Sequence, residues 1–209
     1  MWRDLGVSGL VTPGTLCGMA ISIENDTVSA VGRAAHDVGL SALLGGNLFG
    51  RFAMHPALAR ISDERERGEV VNAAWHRYGT MNALGLAAIV ANWAGARATE
   101  TSDRYLTDRE RSLARAKDVT VGVVAALGLA AAVEGIRFGR DAPDGAVPLA
   151  DGSTPSAGTP AGPARRKRIL NGLTNASIGA EVVLWGINAA IAQTAHRRPA
   201  KRRVLKRKW

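Results

Sequence analysis

The 209-residue chain carries 27 Lys and Arg against 18 Asp and Glu, a net charge of +9, with 24 Gly and only 5% aromatic residues. A soluble domain so poor in Phe, Tyr and Trp would have a thin core, whereas small residues let helices approach closely in lipid; the charge points to an anionic partner, either lipid headgroups or nucleic acid. The lone cysteine, Cys17, excludes an internal disulfide, and the GxxxxGK[ST], GxSxG, HExxH and strand-to-helix GxGxxG patterns are absent, which removes the common soluble catalytic classes.

The mean hydropathy of −0.01 averages two kinds of sequence: nearly charge-free stretches, and the connections that hold most of the charges. Residues 1–31 read as a Gly-containing leader without the uninterrupted apolar run of a signal peptide. Within it, Ile21 to Val31 is either a short strand or the approach to a helix. A first apolar segment runs from Gly32 to Leu58. Between Val38 and Ala59 its only full charge is Arg51, and as a helix this stretch spans about 33 Å, enough for a hydrocarbon core of about 30 Å. Pro56 closes or kinks it. A charged turn follows, in which Ser62 is the candidate cap of the next helix.

The second segment, Tyr78 to Ala96, has no formal charge and is flanked by Trp75, Tyr78 and Trp93, the positions of aromatic anchors at headgroup level. A polar, helical linker, Arg97 to Lys117, leads to the third segment, Val119 to Phe138. Residues 139–164, rich in Gly, Pro, Ala, Ser and Asp, read as a flexible loop. The fourth segment is Ile169 to Ala195, and a polybasic tail, 197–209, ends the sequence. The expected fold is all-α: a four-transmembrane-helix bundle over 32–196. Lys and Arg counts place sixteen on the side of the termini and the 97–117 linker against nine on the other, so both termini are expected in the cytoplasm of a multi-pass cell-membrane protein.

Glu181, near the middle of the fourth segment, is the sharpest single feature. A mid-span carboxylate is costly and faces protein or water, as a proton or cation site or as an interhelical hydrogen bond. Helical spacing sets Thr174, Glu181, Trp185 and Asn188 on one face, and His36, Asn47 and Arg51 on another. Arg51 is the candidate counter-ion of Glu181, or a ligand for an acidic headgroup, or a snorkelling side chain. Gly46 to Gly50 forms a GxxxG match that implies close packing of the first helix on a neighbour. His36, Asn47, Arg51, Glu181 and Asn188 are therefore the candidate ligand-binding set, with no catalytic residue assigned. None of the four histidines has the spacing of a helical metal pair, but His36 with a residue elsewhere is a possible haem ligand. Glu134 and Arg137 read as an ion pair one turn apart. The basic tail suits anionic lipid, and nucleic acid is the weaker option because no aromatic residues interleave its charges.

The first segment, with His36, Gly45, Gly46, Phe49 and Pro56 in order, resembles the first span of bacterial four-span membrane families, the copper-resistance D-like and anthrone-oxygenase-like membrane domains. The resemblance covers about 30 residues. It implies a four-helix membrane bundle and a haem, metal or hydrophobic-substrate site near His36. A membrane-bound protoporphyrinogen oxidase would offer a Lys within a later span, and this chain has none there.

Three functional classes remain open on this reading: a structural, accessory or interaction protein of the membrane, working with other membrane subunits; a redox or small-molecule-binding protein; and a proton-coupled transporter or channel centred on Glu181. A soluble bundle binding nucleic acid is the fourth alternative.

Overall fold

The computed structural model describes residues 13–142 and 146–196, with side chains over 27–142 and 146–194. The first twelve residues of the leader and the polybasic tail, 197–209, lie outside the described residues.

Four long helices account for most of the chain: α1 (Pro13–Phe49), α2 (Glu64–Ala98), α3 (Asp108–Arg140) and α4 (Ala161–His196). Among the described residues there is no strand, only an isolated bridge between Leu149 and Pro155. Each of the four apolar segments lies within a longer helical stretch. The short strand considered for 21–31 is replaced by helix: α1 runs through all of these residues. Asp63 rather than Ser62 caps α2, accepting from the N–H groups of Arg65 at 2.7 Å and Glu66 at 3.1 Å. Thr107 and Glu110 form a reciprocal capping box at the start of α3, so the 97–117 linker is not one helix: α2 ends at Ala98, a 3-10 turn covers Asp103–Tyr105, and α3 starts at Asp108.

After Phe49 the rod continues as a π turn, Gly50–Met54, then His55–Ala57 and a 3-10 turn, Leu58–Arg60. The His55 N–H donates to the Gly50 carbonyl, five residues back. This widened turn lies immediately before Pro56, which lacks the N–H that the Phe52 carbonyl would otherwise receive.

α1 packs along α2 and α3 along α4, with thinner contacts joining α1 to α4 and α2 to α3. The closest approach of α1 and α2 is at Gly39 and Gly85. A Cβ on Gly39 would come within 2.7 Å of the Gly85 carbonyl oxygen, so only glycine permits this spacing. The Gly46–Gly50 pair packs closely on the neighbouring helix α2, as its spacing implies. It receives aromatic rings, Tyr78 against Gly46 and Trp75 against Gly50, rather than another helix backbone.

An apolar core runs through the helices, yet many further apolar side chains lie on the outside and several polar ones lie within. Val28, Val38, Phe52, Leu84, Val119, Leu129, Ile136, Val182 and Val183 are exposed, each by more than half. His36, His55, Lys117, Lys167, Ser177 and Glu181 are buried, Glu181 to 1% exposure. By length and composition α3 and residues Ala161–Thr194 of α4 are apolar enough to cross a membrane. Only 11% and 17% of their most apolar windows are buried in the protein, whereas a soluble core helix would be mostly covered.

The connection between α3 and α4 corrects the expectation of a flexible loop. Val147 and Leu149 are buried with Leu58, Val71, Phe138 and Ala142. The Leu149 N–H donates to the Glu64 carbonyl at 2.9 Å, and the Gly152 N–H to the His55 carbonyl at 3.1 Å. Arg67 donates to the Leu149 and Ala150 carbonyls at 3.1 and 2.8 Å and to the Ile61 carbonyl at 2.7 Å. Small residues give this segment its low-complexity look, and their small size lets the backbone settle against the helices and satisfy its polar groups there.

Candidate functional site

Buried polar groups occupy three levels along the helices. At the middle level α1 and α4 place Asn47 and Glu181 together. The Asn47 amide donates to both carboxylate oxygens, at 2.9 and 3.2 Å. The counter-ion expectation is corrected: Arg51 lies about one turn further on, in the π turn after α1, and donates instead to the Ser153 hydroxyl at 3.2 Å, leaving Glu181 with an amide as partner and no cation in ion-pair contact among the described residues. The Tyr78 hydroxyl donates to the Ala42 carbonyl at 2.6 Å and spans α1 and α2 near this level.

At the loop-covered end His55 is held on both sides. The Trp75 indole N–H donates to His55 Nε2 at 3.0 Å. An indole is a donor only, so Nε2 is the acceptor nitrogen and Nδ1 carries the proton. Nδ1 therefore donates to the Ser153 hydroxyl oxygen at 2.8 Å. The distance resembles a nucleophile–base pair, but the proton is on the wrong nitrogen for His55 to accept one from Ser153. The Asn171 amide donates to the Ser153 carbonyl at 2.7 Å, which ties α4 to the same point. Asp151 holds the turn. Burial pushes its carboxyl up, but the backbone N–H groups of Ser153 and Thr154 and the Thr154 hydroxyl outweigh that and set it below the usual range.

At the opposite end His36, 4% exposed, donates from Nδ1 to the Asp37 carboxylate at 3.3 Å. Its Nε2 is buried with no hydrogen-bond partner, as is Asn188 Oδ1. Lys117 is buried nearby with its ammonium 4.2 Å from the centroid of the Trp93 ring. Trp93 itself donates to Asp118 at 2.8 Å. Trp75, Tyr78 and Trp93 thus point their polar atoms into the protein rather than serving as outward anchors. The charges beyond this level pair with each other, Arg33 with Glu100 at 2.9 Å and Arg97 with Asp103 and Asp118 at 2.9 and 3.1 Å. At the far end Arg137 pairs with Glu134 at 2.7 Å as expected, and Arg166 joins them.

Of the five sequence candidates, Asn47 and Glu181 meet directly, while Arg51 belongs to the loop-covered end and His36 and Asn188 to the open one. Sequence reasoning did not single out Asp37, Lys117, Ser153, Lys167 or Asn171, and it read Trp75 only as a headgroup-level anchor. The available signal was the burial that lysines at 117 and 167 must undergo once helices α3 and α4 extend beyond their apolar segments. Among the described residues no three His, Cys, Asp or Glu side chains converge to hold a metal ion. His55 has both ring nitrogens engaged and does not fit a haem-ligand role; His36 keeps one nitrogen free.

Comparison with known proteins returns no matching family model, no matching curated protein and no matching solved structure.

Proposed function

We propose that the chain is a four-span integral membrane protein, a four-helix bundle of the accessory or interaction type, which works by binding rather than by covalent chemistry. The observation that carries this reading is the exposed apolar surface of the long helices, largest on α3 and α4, together with Glu181, His36, Lys117 and Lys167 inside. Lipid is the solvent in which that arrangement is favourable. The charge-free face of α3 from Val119 to Val133 is about 22 Å long, and paired charges lie beyond it at both ends. Both termini lie in the cytoplasm, with the α1–α2 turn and the α3–α4 connection on the other side, and the polybasic tail meets anionic headgroups or the acidic surface of another membrane subunit.

Alkaline carbonate extraction tests the membrane placement. The protein stays in the pellet and is released only by detergent; release by carbonate alone contradicts the reading. Impermeant thiol labelling of single cysteines at Arg65 and Asp151 from the outside, and at Arg109 from the cytoplasm, tests the four spans.

A second reading, proton-coupled transport, draws on the Glu181–Asn47 contact. A buried carboxyl with an amide partner and no cation can exist in its neutral form. In liposomes Glu181→Gln would abolish pH-driven flux while leaving the fold intact; unchanged flux removes this reading.

A further inference from the structure

Where α1 and α4 separate at the open end, a cleft of about 460 Å³ lies between them, lined by Asp37, Val38, Ser41, Trp185, Asn188 and Ala189. Its walls are of two kinds. Val38, Ala189 and the Trp185 ring are apolar, and Val38 and Trp185 are 69% and 48% exposed. The polar groups are acceptors. Asp37 is a carboxylate whose side chain is 67% exposed and whose one partner is the His36 ring. Asn188 also lines the cleft, but its amide oxygen is buried away from the opening and has no hydrogen-bond partner. Ser41 adds a hydroxyl.

We propose that this cleft binds a lipophilic organic cation, an amine or onium ion with an apolar body. The carboxylate of Asp37 supplies the charge, and the exposed Trp185 ring supplies an aromatic surface for a cation. Val38 and Ala189 cover the apolar part. An anionic or neutral ligand gains nothing from Asp37, and an anion is repelled by it. Lys117 is the basic group near enough to act on Asp37 electrostatically. It lies inside the protein against Trp93, within no ion-pair distance of Asp37 among the described residues, so the carboxylate remains free for a ligand. The cleft opens sideways between two helices, on the route by which an amphiphilic cation held at a membrane interface would enter. This site goes beyond the accessory role above and does not depend on it: binding is read on purified protein, and membrane placement is decided separately by extraction.

The test is equilibrium dialysis of the full-length protein in detergent with tetraphenylphosphonium, compared with its anionic isostere tetraphenylborate and with neutral triphenylphosphine oxide. Phosphonium is expected to bind at least tenfold more tightly than either. Asp37→Asn weakens it at least tenfold, and Asp37→Glu restores most of it. Trp185→Phe removes the fluorescence quenching that accompanies binding. Asp37 is largely exposed, so its substitution leaves the melting curve unchanged and the loss is one of binding. Equal binding of the phosphonium and the borate, or an unaffected Asp37→Asn, overturns the proposal. A protein dimer that binds no phosphonium also overturns it, since a second copy would then fill the cleft.

Discussion

At the loop-covered end the polar side chains that meet the connection have partners: His55 is bound on both nitrogens, Ser153 through side chain and backbone, and the half-buried Arg67 by four carbonyl oxygens. At the open end a histidine nitrogen and an amide oxygen are buried without one, beside a cleft. The same helices build both ends, and the difference is the segment between α3 and α4, whose backbone supplies donors and acceptors at one end only. Satisfied polar groups hold a structure together, whereas unsatisfied ones store capacity for a ligand. The loop-covered end is therefore the structural one, and the open end is where binding is expected.

Substitutions divide along that line. Arg67→Ala withdraws a guanidinium from carbonyls on two segments and is expected to cost about 3 kcal/mol, read by thermal or denaturant unfolding in detergent. A loss below about 1 kcal/mol would show that the connection does not fasten this end. Gly152→Ala puts a Cβ 2.6 Å from the His55 Cα, and the forced shift is expected to cost about 2 kcal/mol. Asp151 sharpens the comparison through pH. Its carboxyl is depressed in the folded protein, so its contribution is present above the unfolded value of about 3.9 and is lost as pH falls through the lower folded value. Asp151→Ala is accordingly less stable than the parent at pH 7, and the gap closes below about pH 4; a gap independent of pH would assign the effect to something other than charge. Smallest of all, Asn188→Ala at the open end should change stability by about 0.5 kcal/mol or less, because its amide oxygen has no bond to lose.

The helices were legible because their signal is local: apolar runs, and breaks that are charged or rich in Gly and Pro. Glu181 and Asn47 were each legible as polar residues in apolar segments, and helical periodicity put both on inward faces. Their meeting, and Arg51's absence from it, were not. Arg51 is turned toward Ser153 at a widened helical turn and by a connection about a hundred residues away in sequence. The path of that connection was hidden by its composition. Gly and Ser suggest freedom, yet Gly152 fits against His55 for want of a side chain, and the Arg67 carbonyl partners lie more than eighty residues off. Lys117 and Lys167 read as solvated linker charges until the helices carried them inside.

The central claim is that the exposed apolar faces meet lipid. Nitroxide labels at Val123 on α3 and Val183 on α4, in protein reconstituted into bilayers, test it most directly when their collision rates with oxygen and with a water-soluble nickel chelate are compared. The account predicts oxygen access well above nickel access at both positions and the reverse at Glu69 in the charged first turns of α2. Nickel access at 123 and 183 equal to that at 69 would place those faces in water and contradict it.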